Sequence, residues 1–245
     1  MREWKYPLLF AVMTAVSAVP LVAGEVSVGL PGVLLFGVGG IAYVGITRSG
    51  SGTAEDASRD GTHYGSLPGL SRYTTAPGGL VFSQSTVATG FGLLGSAAFV
   101  VAGCFLVMTS APAAVLAGVL AVAFFGLTLV VSAKALLCRG GIVLVPDGVY
   151  LRTPAGNAWV RWEDLAQVRA GDGVQFLATS PERMVLTGIN RALQGVNRRR
   201  FGMDVAFPSQ FLRSPAGVVV DTIAGALGDP VSRPALADPT RRRAQ

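Results

Sequence analysis

The side chains that could do chemistry in this chain are few, and their spacing does not assemble them. His63 is the one histidine, and Cys104 and Cys138 are the two cysteines, with no CxxC and no His/Cys spacing suited to a metal. A zinc site needs about four such ligands, so no metal centre is expected and no cofactor is implied. Cys104 lies in an apolar run and Cys138 just after one, which also argues against a disulfide framework. His63 and Tyr64 lie in a Gly/Ser/Thr/Pro-rich stretch with no positioned partner and read as solvated residues. Glu163 and Asp164 could be imagined as an acid/base pair. They are adjacent in sequence with no nucleophile nearby, and read instead as residues that turn the chain at a strand end.

The remaining chemistry is cationic. Arg191 and the run Arg198, Arg199, Arg200 form one basic cluster, and Arg241, Arg242, Arg243 form another near the chain end. A basic cluster near an anionic leaflet gains about 1 kcal/mol per Lys or Arg from headgroup attraction, so Arg191 and Arg198–Arg200 are the candidate anionic-lipid contact. Solubility and the retention of positive charge on one side of a membrane explain the same residues without a ligand. The sequence pI of about 9.9 is read in the same way, and no nucleic-acid partner is expected.

These residues must be positioned by two very different kinds of polypeptide. Hydrophobic residues make up 51% of the 245 and charged ones 14%, with a mean hydropathy of +0.52, far from the soluble norm of about 25% charged. From Lys134 onward lie 15 of the 20 Lys and Arg and 9 of the 14 Asp and Glu, so the C-terminal part holds the whole net charge of +6.

Uncharged stretches run from Tyr6 to Gly24 and from Val26 to Thr47, each near the roughly 17–25 residues that cross a bilayer as a helix. The stretch from Tyr73 to Ala133 is too long for one span, and Thr109-Ser110-Ala111-Pro112 divides it into helices at about Thr89–Met108 and Pro112–Ser132. Four transmembrane helices in two hairpins are therefore expected. The tight turns at Glu25 and Ser110 carry no Lys or Arg, whereas Arg2, Lys5, Arg48, Arg59, Arg72, Lys134 and Arg139 all flank the opposite ends. The positive-inside rule then puts both termini in the cytoplasm of a plasma (inner) membrane protein, with Trp4 and Tyr6 at that interface. The competing reading of Met1–Gly24, a cleaved signal peptide, suffers from an apolar run longer than such segments use.

The spans contain no Asp, Glu, Lys, Arg or His, which disfavours ion-coupled transport or a proton relay. Small residues recur every four positions at Ala113, Ala117, Ala121 with Ala114 and Gly118, and at Gly92, Ser96 and Ala98, Ala102. They suit close packing within the hairpin or a homo-oligomer or other protein partner. Pro20 and Pro31 could kink the first hairpin or mark a transport path, but their place near one membrane face suits shaping the tight turn.

The organisation expected is a first hairpin over residues 1–48, a flexible cytoplasmic linker over 49–79, a strand-like lead-in (Leu80–Phe82) and second hairpin over 80–133, a soluble domain over 134–228, and a basic tail over 229–245. In the soluble domain, alternating segments at Ile142–Val145, Val149–Thr153, Ala158–Trp162, Ala166–Ala170, Val174–Thr179, Met184–Gly188 and Phe201–Phe207 predict seven strands of a small antiparallel barrel or sandwich. The turns Pro146-Asp147-Gly148, Pro154-Ala155-Gly156-Asn157 and Gly171-Asp172-Gly173 separate them. Ser214 as N-cap, Pro215 at the first turn, and Val219, Ile223, Leu227 on one face predict a closing helix stopped at Gly228.

The runs Ile142–Arg152 and Trp159–Arg169 resemble the hairpin and Trp-containing turn of bacterial PH-like domains that directly follow paired transmembrane helices. The segment from Gly79 through Phe124-Phe125-Gly126-Leu127 to Trp162 is similar to uncharacterised membrane proteins of that kind. The resemblance spans roughly Leu80 to Leu227. It implies a PH-like fold with Trp162 and Leu165 in the core, and it brings no catalytic residue. The expected function is a membrane-anchored interaction module, non-enzymatic, or an accessory subunit of a larger membrane complex.

Overall fold

A computed structural model of the chain describes residues 5–23, 26–49, 62–109, 111–138 and 140–237. The turns at Glu25 and Ser110, and Arg2, Trp4, Arg59, Arg139 and Arg241–Arg243, lie outside the described residues. The chain divides into two compact units, one of residues 1–48 and 86–136, the other of residues 49–85 and 137–245.

The first unit is helical: α1 (Lys5–Val22), α2 (Val26–Val33), a wide π turn (Leu34–Val38), α3 (Gly39–Ser49), α4 (Thr86–Val107) and α5 (Pro112–Leu137). Among the described residues, three helical stretches are long and apolar enough to cross a membrane: Gly29–Ile46, Thr86–Val107 and Pro112–Leu137. A shorter apolar helix covers Tyr6–Val22. Pro20 and Pro31 both lie inside helices rather than in the turn, and the π turn follows Pro31 by three residues. Proline removes an intrahelical donor, and a π turn is one way a helix absorbs the resulting mismatch.

Glycine sets the closest helix contacts. A Cβ on Gly29 would lie 2.4 Å from the Leu21 backbone nitrogen, and one on Gly32 would lie 2.5 Å from Ser17 Oγ. Between α4 and α5, a Cβ on Gly118 would lie 2.6 Å from the Gly103 carbonyl oxygen. Thr128 Oγ1 donates to Ser96 Oγ at 3.1 Å, and Phe99 stacks on Phe125 at 4.1 Å between centroids. Ala98 and Ala102 are buried, whereas Ala113 and Ala117 are exposed. Leu116, Leu120, Phe124, Leu127 and Val130 of α5 are also exposed, an apolar surface that suits lipid as solvent.

Among the described residues, the second unit carries nine strands: β1 (Thr62–Gly65), β2 (Gly79–Ser83), β3 (Gly141–Val145), β4 (Gly148–Thr153), β5 (Gly156–Arg161), β6 (Leu165–Ala170), β7 (Gly173–Ala178), β8 (Val185–Leu186) and β9 (Val205–Pro208). It also carries two helices, α6 (Gly188–Phe201) and α7 (Ala216–Gly228). All pairings are antiparallel. One sheet runs β1-β2-β3-β4-β5-β8 and the other β6-β7-β9, so the strands do not close into a barrel.

Residues 62–79 are not a bare linker. They supply β1 and a covering segment in which Leu67 and Leu70 are buried with Tyr73 and Ala76 against Val81, Val143, Val145, Tyr150 and Trp159. Tyr73 stacks on Trp159 at 5.8 Å. Burying a second face explains why β3, Gly-Ile-Val-Leu-Val, is apolar throughout rather than alternating. The opposite face of the sheet, with Phe82, Ile142, Leu144, Leu151 and Val160, joins Val174, Phe176, Phe207 and the α7 residues Val219 and Ile223 in the main core.

The lead-in at Leu80–Phe82 is a full strand. It pairs with β3 in the register Leu80↔Leu144 through Ser83↔Gly141, so α4 and α5 are inserted between two hydrogen-bonded neighbours. Trp162 and Leu165 are buried core residues, and Trp162 Nε1 donates to the Val145 carbonyl at 2.8 Å. The strand expected to end at Trp162 stops at Arg161, and Trp162–Asp164 form a short 3-10 turn. Gly148 does not take a positive φ. It is required because a Cβ there would lie 2.2 Å from the Val160 carbonyl oxygen of the adjacent strand.

Two expected strands change. Met184–Gly188 reduces to Val185–Leu186 at the sheet edge, and Phe201–Phe207 becomes the end of α6 followed by β9. Helix α7 begins one residue later than expected: Pro215 occupies the capping position, Ser214 makes no capping bond, and its buried Oγ has no hydrogen-bond partner among the described residues.

Candidate functional site

The basic cluster lies on α6, a helix between two segments whose alternation predicts strands. Its fourteen residues, Gly-Ile-Asn-Arg-Ala-Leu-Gln-Gly-Val-Asn-Arg-Arg-Arg-Phe, contain no acid. Gly202 ends the helix in the left-handed conformation (φ 62°), its N–H donating to the Arg198 carbonyl. Arg198, Arg199 and Arg200 in the last turn complement the negative end of the helix dipole.

The helix packs against its unit through polar side chains. Asn190 Nδ2 donates to Thr153 Oγ1 (3.3 Å) and to the Gly156 carbonyl (3.2 Å). Gln194 Nε2 donates to the Pro181 carbonyl (2.9 Å) and to Asp204 Oδ1 (3.1 Å), and Asn197 Nδ2 donates to the Asp204 carbonyl (3.5 Å). Positions 190, 194 and 197 follow the i, i+4, i+7 spacing of a single helix face.

Arg198 belongs to the same inner face. Its Nη1 lies 3.0 Å from Asp204 Oδ1 and 3.1 Å from Oδ2, and its Nη2 donates to the Ala178 carbonyl at 3.1 Å. Asp204 is fully buried and also accepts the Ala178 N–H at 2.8 Å. A carboxylate removed from water is tolerated only with a counter-ion and hydrogen bonds of this quality. Arg198 is thus the structural partner of Asp204. Its side chain is 28% exposed, whereas Arg191, Arg199 and Arg200 are exposed.

The outer face of α6 is apolar. Ile189, Leu193 and Val196, again at i, i+4, i+7, are 50%, 45% and 49% exposed, and Ala192 between them is exposed as well. The arrangement inverts the usual surface helix, which turns apolar residues inward and polar ones outward.

Other chemically capable residues serve the fold. Tyr150 is buried, and its hydroxyl donates to the Pro68 carbonyl at 3.0 Å; burial pushes its phenol up, with the Arg152 charge pulling the other way. Thr74 Oγ1 donates to Asp147 Oδ2, tying the covering segment to the β3–β4 turn. Glu163 and Asp164 stand in ion pairs with Arg161 and Arg183, each at 3.6 Å. His63 lies exposed on β1, with its Nδ1 3.5 Å from Ser83 Oγ. Among the described residues no group of three or more His, Cys, Asp or Glu side chains comes together.

Sequence reasoning missed Asp204 and Gln194, whose importance comes entirely from what folds over them. The apolar spacing 189/193/196 and the Arg-Arg-Arg-Phe-Gly ending were the available signals for α6. Compared with family models, curated proteins and solved structures, the chain matches none.

Proposed function

We propose that the chain is a four-span membrane protein with both termini in the cytoplasm, and that its β unit is a PH-like module working by binding at the cytoplasmic membrane face. The observation that carries this reading is the pairing of β2 with β3 across the inserted α4–α5 hairpin. Only Gln84 and Ser85 separate β2 from α4, and only residues 138–140 separate α5 from β3. A unit joined at two such points to apolar helices cannot leave the bilayer without unpairing its own sheet. The hydrocarbon core is about 30 Å thick. At 1.5 Å per residue, the 18 residues of α1 extend about 27 Å, which fits the fourth span. Two sheets, seven of whose strands come from residues 141–208, and a terminal helix packed on β6 and β7 support the PH-like reading.

Fusing a reporter enzyme after Gln245 tests the orientation. The reading expects a cytoplasm-active reporter to work there and a periplasm-active one to stay silent; the reverse pattern removes every cytoplasmic role. Photo-crosslinking in cells from an exposed residue of the β unit, such as Glu182, should then capture a discrete partner. Loss of that product when the full chain without the crosslinker is co-expressed, but not when an unrelated membrane protein is, is expected for specific binding.

A further inference from the structure

We infer that α6 docks on the anionic headgroup layer of the bilayer that holds the chain, with Ile189, Leu193 and Val196 entering the interface and Arg199 and Arg200 meeting the phosphates. This rests on the membrane-anchored reading and adds which surface makes contact and what it recognises.

Three independent observations converge. The first is the inverted packing: Asn190, Gln194, Asn197 and Arg198 hold the helix in place by hydrogen bonds, which frees the apolar stripe to point outward. Three side chains about half exposed in one row would cost solubility unless something covers them. The second is charge. The helix carries four arginines and no acid; the one drawn inward is already matched by Asp204, Arg191 projects away from the stripe, and Arg199 and Arg200 are exposed on the stripe's own side. A helix lying in a membrane interface has this composition, with apolar residues on one face and arginines at its border.

The third observation is position within the β unit. Ile189 N–H donates to the Ala155 carbonyl at 2.8 Å, in the turn between β4 and β5. The β3–β4 register sets Gly141 opposite Arg152, next to Thr153 at the edge of that turn, and the β2–β3 register sets Ser83 opposite Gly141. The first turn of α6 is therefore at the end of the six-stranded sheet where the chain departs for α4 and returns from α5. The helix then runs toward the other end of the sheet, where Arg198 meets the Ala178 carbonyl, so the attachment sets the place of its first turn alone; an anionic lipid surface satisfies both the apolar and the basic half of the exposed face.

The test uses the full chain, with Cys104→Ala and Cys138→Ser, in nanodiscs of phosphatidylcholine alone or of phosphatidylcholine with phosphatidylglycerol. A fluorophore is placed at Leu193→Cys, or at Glu182→Cys as an exposed control, and quenched by lipids spin-labelled on the acyl chain. Quenching at position 193 but not 182, strong with phosphatidylglycerol and weakened by salt, is the expected result. At about 1 kcal/mol per arginine, Arg199→Gln with Arg200→Gln should lower the docked-to-free ratio about 30-fold. Both side chains are exposed, so the fold should survive, as unchanged Trp emission would verify. Equal quenching in neutral nanodiscs overturns the proposal, because charge then selects nothing. Absence of quenching in both also overturns it: blue-shifted emission at 193 would then assign the face to a protein contact, and solvent-like emission would leave it facing water. Because a nanodisc offers both lipid faces, these outcomes do not depend on which way the protein is oriented in the cell.

Discussion

Replacing Arg198 by Ala should destabilise the β unit far more than replacing its neighbour Arg199, although both belong to one run of three arginines. The Arg198 guanidinium supplies both of the charge-assisted contacts that Asp204 receives from a cation, at 3.0 and 3.1 Å, and bonds the Ala178 carbonyl as well. Its removal leaves a fully buried carboxylate with only the Ala178 N–H and the Gln194 amide. Breaking a buried pair in this way costs about 3–5 kcal/mol. The Arg198 side chain is 28% exposed, so water can partly replace it and the lower end, about 3 kcal/mol, applies. For a domain of this size that corresponds to a fall in Tm of about 12 °C.

Thermal unfolding of the full chain in detergent, followed by Trp emission, measures the effect, because Trp159 and Trp162 are both buried in this unit. Arg199→Ala should stay within about 0.5 kcal/mol of the parent. In a double-mutant cycle with Asp204→Asn, the two losses should be strongly non-additive. An Arg198→Ala shift no larger than that of Arg199→Ala would refute the claim that the ion pair holds α6 and β9 together.

Further outcomes follow from other parts of the molecule. Leu70→Ala, in the segment that covers the second face of the sheet, should cost about 2–5 kcal/mol in the same assay, since Leu70 is almost wholly buried; a negligible change would mean the segment does not pack there. Gly118→Val should loosen the α4–α5 hairpin by about 1–3 kcal/mol, because even a Cβ would collide with the Gly103 carbonyl and the Val107 nitrogen. Reduced thermal stability in detergent, with helix content retained, is the reading to look for. Burial raises the Tyr150 phenol above its ordinary value, so the unfolded chain gives up that proton first. The associated stability is complete below about pH 10 and is lost as pH climbs through the raised folded value. Tyr150→Phe should remove this part of the alkaline dependence, measured as unfolding free energy against pH, while costing about 1 kcal/mol at neutral pH for the bond to Pro68.

The sequence was informative wherever the signal is local. The β3–β4 and β4–β5 hairpins announce themselves through Pro146-Asp147-Gly148 and Pro154-Ala155-Gly156, and Trp162 and Leu165 take the core positions that the resemblance implies. Helix α7 shows its buried row at Val219 and Ile223. By contrast, α6 was hidden because its inward residues are Asn, Gln and Arg, and hydrophobic patterning assumes that apolar side chains point inward. The segment around Leu67, Leu70 and Tyr73 was hidden because its Gly/Ser/Thr/Pro-rich composition is that of a loop.

From the order of residues alone come the apolar stretches, the crowding of charge after Lys134 and the β-hairpins, since each depends on neighbours within a turn or two along the chain. Only the tertiary structure decided that β2 pairs with β3 across an inserted helical hairpin, that Asp204 selects Arg198 from three consecutive arginines, and that Ile189, Leu193 and Val196 point outward. Each of those outcomes depends on which distant groups share a buried space, and a buried charge or an unpaired strand edge must find its partner there whatever the sequence distance.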